Sequence, residues 1–544
     1  MHSTMMDVPL SIGTMLRYAS TSHGERRILT WTGDGCRSAT YAQVGERTAR
    51  LANVLRDLGI DADQRVGTFC WNDQEHLEAY LAVPAMGAVL HPINVRLFPE
   101  QITYVTSHAD DQVVIVDGTL AGPFGRLLPH LPTVRHVLVT GDADLDALHA
   151  DGVEVHRYDE ALAAAEPDFA WPEVDERQAA GMCYTSGTTG KPKGVVYSHR
   201  STYLHAMAAA RGDAMALSPD DRVFPVVPMF HANAWGLPYA ATLVGAEQLM
   251  PERFLQGEHL AVMIESQRPT VAGAVPTIWN DLLQYARAHG NDLSSLRTVI
   301  CGGSAMPESL MDAYDKEFSV RVEHAWGMTE TSPLGSIAKQ PPGVGEEEAR
   351  RYRLSQGRII PELAYRLTGE DGSTVPCDGE AVGELEVRGP WVAASYYAED
   401  DPDKFHDGWL RTGDVGTVDG RGYFTITDRS KDVIKSGGEW ISSVDMENAL
   451  MAHPDVVEAA VVGIPDEKWR ERPLAAIVVR EGASVDATEL RRSLSDRFAR
   501  WQLPDRFAFI TELPKTSVGK FDKKVLRRRH ADGELAEQDV PHDG

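Results

Sequence analysis

The stretch that decides the fold is YTSGTTGKPKG, residues 184–194, which follows the apolar run AAGMC. It reads as a strand running into a phosphate-binding loop. Gly187, Gly190 and Gly194 allow backbone N–H groups to turn toward an anion. Thr185, Ser186, Thr188 and Thr189 add hydroxyl donors, and Lys191 and Lys193 offset phosphate charge. The spacing is not that of a Walker A loop, which needs four residues between its glycines and then Lys-Ser/Thr. Here Gly187 and Gly190 enclose two residues, and Pro192 follows Lys191.

Outward from this loop, helical and strand patterns alternate. YAQVGERTARLANVLRDLGI places Val44, Leu51, Val54, Leu55 and Leu58 near one helical face, while DQVVIVDG and RHVLVTG are short β-branched runs closed by Gly. TVAGAVPT and LRTVICGGSAMP continue the alternation, with Gly and Pro clusters after the strands. The expected class is α/β, with its chemistry in the loops that follow the strands. Near DRSKDVIKSGG the pattern becomes charged, Gly-rich and hairpin-like, and AAVVGIP, PLAAIVV and ATELRRSLSDRFARW follow as two strands and a helix. This predicts a large unit over 1–430, a small α+β unit over 431–530, and a flexible tail over 531–544 with few apolar anchors.

The chain of 544 residues carries 53 Lys plus Arg against 80 Asp plus Glu, a net charge of −27 that repels nucleic acid and anionic lipid. Its five cysteines are far apart and form no C-x-x-C pair, so a reduced, intracellular protein without structural zinc is expected. No uninterrupted apolar run reaches membrane-spanning length, and MHSTMMDVPLSIG lacks the layout of a secretory signal, which predicts a soluble, cytoplasmic protein. PLSIGTMLRYA has apolar spacing compatible with a homodimer contact and equally with packing inside one chain.

The 184–194 string resembles the signature of the adenylate-forming superfamily of acyl-CoA synthetases, luciferases and peptide-synthetase adenylation domains. PVVPMFHANAWGLPYAATLVGA, WGMTETSP, DRSKDVIKSGGEWISSVDMENAL, KWRERPLA and RWQLPD follow in the family's order. They are most similar to the medium- and long-chain fatty acyl-CoA synthetase branch. The resemblance implies a large N-terminal multi-sheet α/β domain with a small mobile C-terminal α+β domain. It also implies ATP, Mg²⁺ and coenzyme A as reactants and cofactor.

Residue by residue, the resemblance assigns Thr185 and Glu330 to Mg²⁺, for which a hydroxyl and a carboxylate are suitable hard ligands. It assigns the nucleotide to Thr185, Ser186, Gly187, Thr188, Thr189, Gly190 and Lys193, to Gly302, Gly303 and Ser304, and to His324, Ala325, Trp326, Gly327, Met328 and Thr329. Many members have Tyr where Trp326 stands and Gly or Gln just before it, whereas this chain has His324-Ala325. Asp414 and Arg429 match ribose contacts, and Lys431 matches the hinge of the small domain. His231 and Trp235 match positions that line and gate an acyl tunnel. Gly437, Gly438 and Trp440 match the face shown to coenzyme A. Lys520, in PKTSVGK, matches the lysine that enters the site during adenylation, where a cation lowers the repulsion between carboxylate and α-phosphate. Lys435 and Glu447 read as exposed charge.

The implied reaction has two halves. A carboxylate attacks the α-phosphate of ATP to give acyl-AMP and pyrophosphate, and then the thiol of coenzyme A displaces AMP. The acid itself is not written in the motifs, since an apolar pocket discriminates weakly among hydrophobic shapes. The FHANAW run holds no acidic residue for a substrate ammonium, which disfavours amino acids. Three alternatives stay open: a ligase that passes acyl-AMP, including that of a bulky polycyclic or aryl secondary-metabolite acid, to a carrier or partner enzyme, a non-catalytic nucleotide or acyl sensor, and an ADP-releasing phosphotransferase.

Overall fold

The helical spacings seen in sequence become helices that bury one face. Helix Tyr41–Asp57 buries Val44, Leu51, Val54 and Leu55 and starts in a capping box between Thr40 and Gln43. Helix Pro276–His289 begins with Pro at its first position, buries Trp279, Leu282, Leu283 and Ala286, and ends at Gly290 in the left-handed conformation. In this computed structural model, residues 1, 3–185, 191–369, 371–429, 432, 434–436, 439–466, 468–495, 497–516 and 521–540 are described, with Arg429, Glu439 and Trp440 described as backbone only.

A seven-stranded sheet runs in the order Glu154–Arg157, His136–Thr140, Asp111–Asp117, Arg65–Phe69, Val89–Pro92, Ala179–Tyr184 and Gly194–Ser198. All neighbours are parallel except the last pair. The loop over 184–194 therefore joins a strand to an antiparallel strand. A Walker A loop instead runs into a helix, whose N-terminus helps to bind the anion.

A second, fifteen-stranded sheet contains the parallel strands Arg222–Pro225, Val271–Ala274, Thr298–Gly302 and Arg321–Gly327. Val271–Ala274 and Thr298–Gly302 are buried at every residue, as expected of parallel strands covered on both faces. The sheet turns antiparallel beyond Arg321–Gly327, and its strands Trp409–Val418 and Tyr423–Arg429 set Asp414 beside Arg429.

A separate six-stranded sheet is built from Ile434–Ser436, Glu439–Ile441, Val456–Asp466, Arg470–Val479, Arg506–Phe509 and Glu537–Asp539. Its last strand corrects the expectation of a flexible tail. Glu537–Asp539 pairs antiparallel with Arg506–Phe509, the Val540 amide donates to the Asp505 carbonyl at 2.9 Å, and Val540 is buried in the core of this sheet. The sequence pattern misses it because three ladder residues and one valine make too short an apolar signal. Near the start of the chain, helix Ile12–Ser22 buries Ile12, Met15, Leu16 and Ala19, so the apolar spacing of PLSIGTMLRYA is used inside the chain. Among the described residues, no helix is long and apolar enough to cross a membrane.

Candidate active site

A cavity of about 420 Å³ lies between the end of the fifteen-stranded sheet and the six-stranded unit. Gly303, Ser304, His324, Ala325, Trp326, Gly327, Asp414 and Asp428 line one side, and Glu447, Thr516, Phe521, Lys523 and Arg527 line the other. Strands Thr298–Gly302 and Arg321–Gly327 run side by side, with Gly302 paired to Ala325, and so deliver two of the expected nucleotide segments to one wall. This is the loop end of a parallel sheet, where α/β proteins place ligands.

Trp326 is held from several directions. Its indole N–H donates to Asp414 Oδ2 at 2.7 Å, and its ring meets Phe424 edge-on at 5.7 Å. A Cβ on Gly335 would come within 2.2 Å of the ring, so only glycine fits beneath it. Both Trp326 and Asp414 are buried, at 6% and 4% exposure, so the pair is shielded from competing water. His324, two residues earlier on the same strand, places Nδ1 3.0 Å from the Ser355 carbonyl and Nε2 3.3 Å from the Ser304 carbonyl. Burial lowers its pKa, and a neutral ring, with a single N–H, donates to one of these two carbonyls at a time.

Glu330 sits in the short turn Thr329–Thr331 and is 5% exposed. The Tyr396 hydroxyl donates to its Oε1 at 2.6 Å. Burial, and then the Glu330 carboxylate, push the Tyr396 phenol far above its ordinary range, so it stays a donor. Thr185 follows strand Ala179–Tyr184. Its amide donates to the Lys193 carbonyl at 2.9 Å, and its Oγ1 accepts from the Lys193 amide at 3.1 Å.

The Lys193 ammonium pairs with Asp401 at 2.8 Å and Glu399 at 2.9 Å and lies 4.8 Å from the centre of the Tyr396 ring. The hydrogen bond to Asp401 chiefly raises its pKa. Where the motif points this charge at phosphate, the structure has it clamp the base of the loop to the 396–401 segment, and that segment in turn holds Glu330.

The FHANAW segment has an unusual backbone. Ala232, Asn233, Ala234, Trp235 and Gly236 all have positive φ, between 43° and 75°, and make one left-handed helical turn. Such a conformation costs about 1–2 kcal/mol for each residue with a side chain. Asn233 anchors it: Oδ1 accepts from the Tyr80 hydroxyl at 3.2 Å and the Cys183 thiol at 3.5 Å. The Ala234 amide donates to the His231 carbonyl at 3.1 Å. The turn lays the Trp235 indole along the strand ends, so that a Cβ on Gly273 or Gly302 would lie 3.5 or 3.4 Å from the ring. Gly302 is thus shared, with Trp235 on one side and the cavity-lining Gly303 and Ser304 following it.

Several expected residues lie outside the described ones: Ser186, Gly187, Thr188, Thr189, Gly190, Lys431, Gly437, Gly438 and Lys520. The side chains of Arg429 and Trp440 do as well, although their strands are described. Thr516 and Phe521, which flank 517–520, both line the cavity.

Glu447 corrects an expectation. Its charge reads as solvent-facing in the sequence, yet it is 7% exposed, lines the cavity and pairs with Lys523 at 2.7 Å. Burial pushes its carboxyl up. Burial alone would lower Lys523, but the Glu447 and Asp428 carboxylates raise it. Helical spacing in SVDMENAL holds the signal, since Met446, Glu447 and Leu450 share the buried face. The charge of Glu447 hides it. Sequence reasoning also misses Tyr396, Glu399 and Asp401, whose only signal is an aromatic pair ahead of an acidic run in SYYAEDD.

The model of the AMP-binding enzyme family matches residues 16–397, and that of the AMP-binding enzyme C-terminal domain matches 445–520. The chain is 44% identical over 533 residues to a 3-methylmercaptopropionyl-CoA ligase of Ruegeria pomeroyi, covering 97% of this chain and 98% of that one. It is 44% identical to a long-chain-fatty-acid–CoA ligase of Thermus thermophilus, covering 97% of each. It is 41% identical to a medium-chain-fatty-acid–CoA ligase of Ectopseudomonas oleovorans, also covering 97% of each. Its fold is similar to the crystal structure of an anthranilate CoA ligase with anthranoyl-AMP, with TM-score 0.87, 26% identity and coverage of 97% and 99%. With both family models matched and the paired strand ends and the two-sided cavity in place, the chain belongs to the AMP-binding enzyme family and is an ATP-dependent, AMP-forming acid–thiol ligase.

Proposed function

We propose that this ligase activates a hydrophobic monocarboxylic acid of the medium- or long-chain fatty class, with Mg²⁺, and passes it to coenzyme A. One observation carries the reading: the Trp235 ring lies beside Gly302, and the next residues, Gly303 and Ser304, line the nucleotide cavity. An acid whose carboxylate reaches the cavity would have its tail beside the indole. Residues 226–237 contain no acidic side chain and only His231 among the basic types, so nothing in that segment repays burial of a second charge.

In this reading Asp414 and Arg429 hold the ribose and Trp326 faces the base. Glu330 and Thr185 fit a hard cation, since both offer oxygen, and the Tyr396 bond to Oε1 leaves the carboxylate fixed in place. When bound, Mg²⁺ would neutralise charge on the ATP phosphates. Lys520 stabilises charge as the carboxylate oxygen attacks the α-phosphate, and the cavity position of Thr516 and Phe521 supports that role. The small unit over 431–530 then turns about Lys431, bringing Gly437, Gly438 and Trp440 toward coenzyme A. Two arrangements of one site keep water from the mixed anhydride before the thiol arrives.

The test is mass spectrometry of the protein with MgATP and a mixed panel of fatty, thioether and aryl acids, with and without coenzyme A. Preferential formation of a fatty acyl-CoA with AMP supports the proposal. Preference for a short thioether or aryl acid overturns the acid class. Acyl-AMP that persists with coenzyme A present points to a ligase that needs a partner.

A further inference from the structure

At the edge of the seven-stranded sheet, opposite the edge that carries the 184–194 loop, strand pairing gathers three metal-ligating side chains. Strands His136–Thr140 and Glu154–Arg157 run parallel, with His136 beside Glu154 and Leu138 beside His156. Residues 154 and 156 share one face of their strand, and the register puts His136 on that face too. His136 Nδ1 is 3.6 Å and His156 Nε2 is 3.8 Å from the same oxygen of Glu154, and one ligand atom from each residue lies within 4.8 Å of the others. These spacings are too long for hydrogen bonds. Three donors each about 2.0–2.1 Å from a tetrahedral zinc ion stand roughly 3.4 Å apart, close to what is seen.

A further observation points to a ligand. The two nitrogens that face Glu154 are buried and have no hydrogen-bond partner among the described residues, although a buried unpaired polar atom is costly. Glu154 is 71% exposed, so an ion could enter and keep water in its fourth position.

We propose that His136, Glu154 and His156 form a binding site for a divalent transition metal of the zinc class, which pins the edge strand Glu154–Arg157 to its neighbour. Cysteine spacing, which argues against structural zinc, is blind to histidines that meet only through strand pairing. The site takes no part in ligation, since three strands of the same sheet separate His136–Thr140 from Ala179–Tyr184.

The experiment uses the full chain, stripped of metal and free of nucleotide, titrated with Zn²⁺ by calorimetry and with Co²⁺ by visible absorption. One equivalent should bind in the micromolar range and raise the melting midpoint. His156→Ala and Glu154→Gln should each weaken binding about tenfold or more, as expected of lost ligands when even outer contacts are worth about 10–100-fold. Both variants should keep wild-type ligase activity, which also shows that they fold. Absence of a saturable equivalent at millimolar Zn²⁺, or binding undiminished in both variants, would overturn the site and leave a plain imidazole–carboxylate cluster.

Discussion

The Trp235 turn packs beside Gly302 and the nucleotide cavity begins at Gly303, yet the two regions are held by different forces. On the nucleotide side, buried polar groups satisfy one another: Trp326 donates to Asp414 and Tyr396 to Glu330, while the half-buried Lys193 pairs with Asp401. Removing one partner there leaves another exposed to the full cost of an unpaired buried group. On the proposed acyl side, position is set by backbone shape, five successive residues with positive φ tied down chiefly through Asn233. Polar networks of the first kind define where a charged reactant sits. A bent, apolar wall of the second kind selects by size, and size discriminates weakly.

The largest test of this division is Lys520→Ala. If the lysine serves the nucleotide side alone, acyl-AMP formation should fall by about 100–1,000-fold, the usual effect of removing one charge-stabilising donor. Transfer from supplied acyl-AMP to coenzyme A should change little. Equal loss in both half-reactions would show that Lys520 does not belong to the adenylation arrangement.

Tyr396→Phe should come next. It removes a hydrogen bond to a buried carboxylate, worth about 1.5–3 kcal/mol, and should raise the Mg²⁺ concentration needed for half-maximal adenylation roughly tenfold or more. The KM for the acid should hold. A change confined to the acid would break the link from Tyr396 to Glu330 and the cation.

A crossed pair then separates the two sides directly. Trp326→Phe deletes the donor to Asp414 and should raise the KM for ATP several-fold, with the order of preference among acids unchanged. Trp235→Ala should alter chain-length preference by about 10–200-fold, the range for one apolar feature of a pocket, with the KM for ATP unchanged. Effects of both substitutions on both substrates would mean that Gly302 couples the sites rather than divides them.

One half of this contrast is legible in the sequence. The strands Ala179–Tyr184 and Thr298–Gly302 and the loops after them follow from apolar runs closed by glycine, and Gly303, Trp326 and Asp414 converge on one cavity as the order of their motifs implies. The network that holds those residues is not legible. Tyr396 reaches Glu330 across 66 residues, and Asp401 reaches Lys193 across 208, contacts that depend on how two sheets meet. Glu447 shows the same limit, because its charge argues for solvent while the buried Lys523 that makes its position tolerable lies 76 positions further on. The left-handed turn leaves no trace either. Ala232, Ala234 and Trp235 have no preference for positive φ, and only tertiary contacts impose it.

That last point gives the smallest effect and a direct check on the acyl side. Ala234 and Ala286 are both buried, at 0% and 1% exposure, but Ala234 sits in the left-handed turn and Ala286 in the right-handed helix Pro276–His289. Replacing either with glycine removes the same methyl group from the core. At Ala286 glycine also brings its helix-interior penalty of about 1 kcal/mol. At Ala234 it releases strain of about 1–2 kcal/mol, which offsets the greater entropy of the unfolded glycine chain. Urea unfolding should therefore show Ala286→Gly less stable than Ala234→Gly by about 1 kcal/mol. If the two lose equal stability, the Trp235 turn is not strained, and the acyl wall must be held by packing alone.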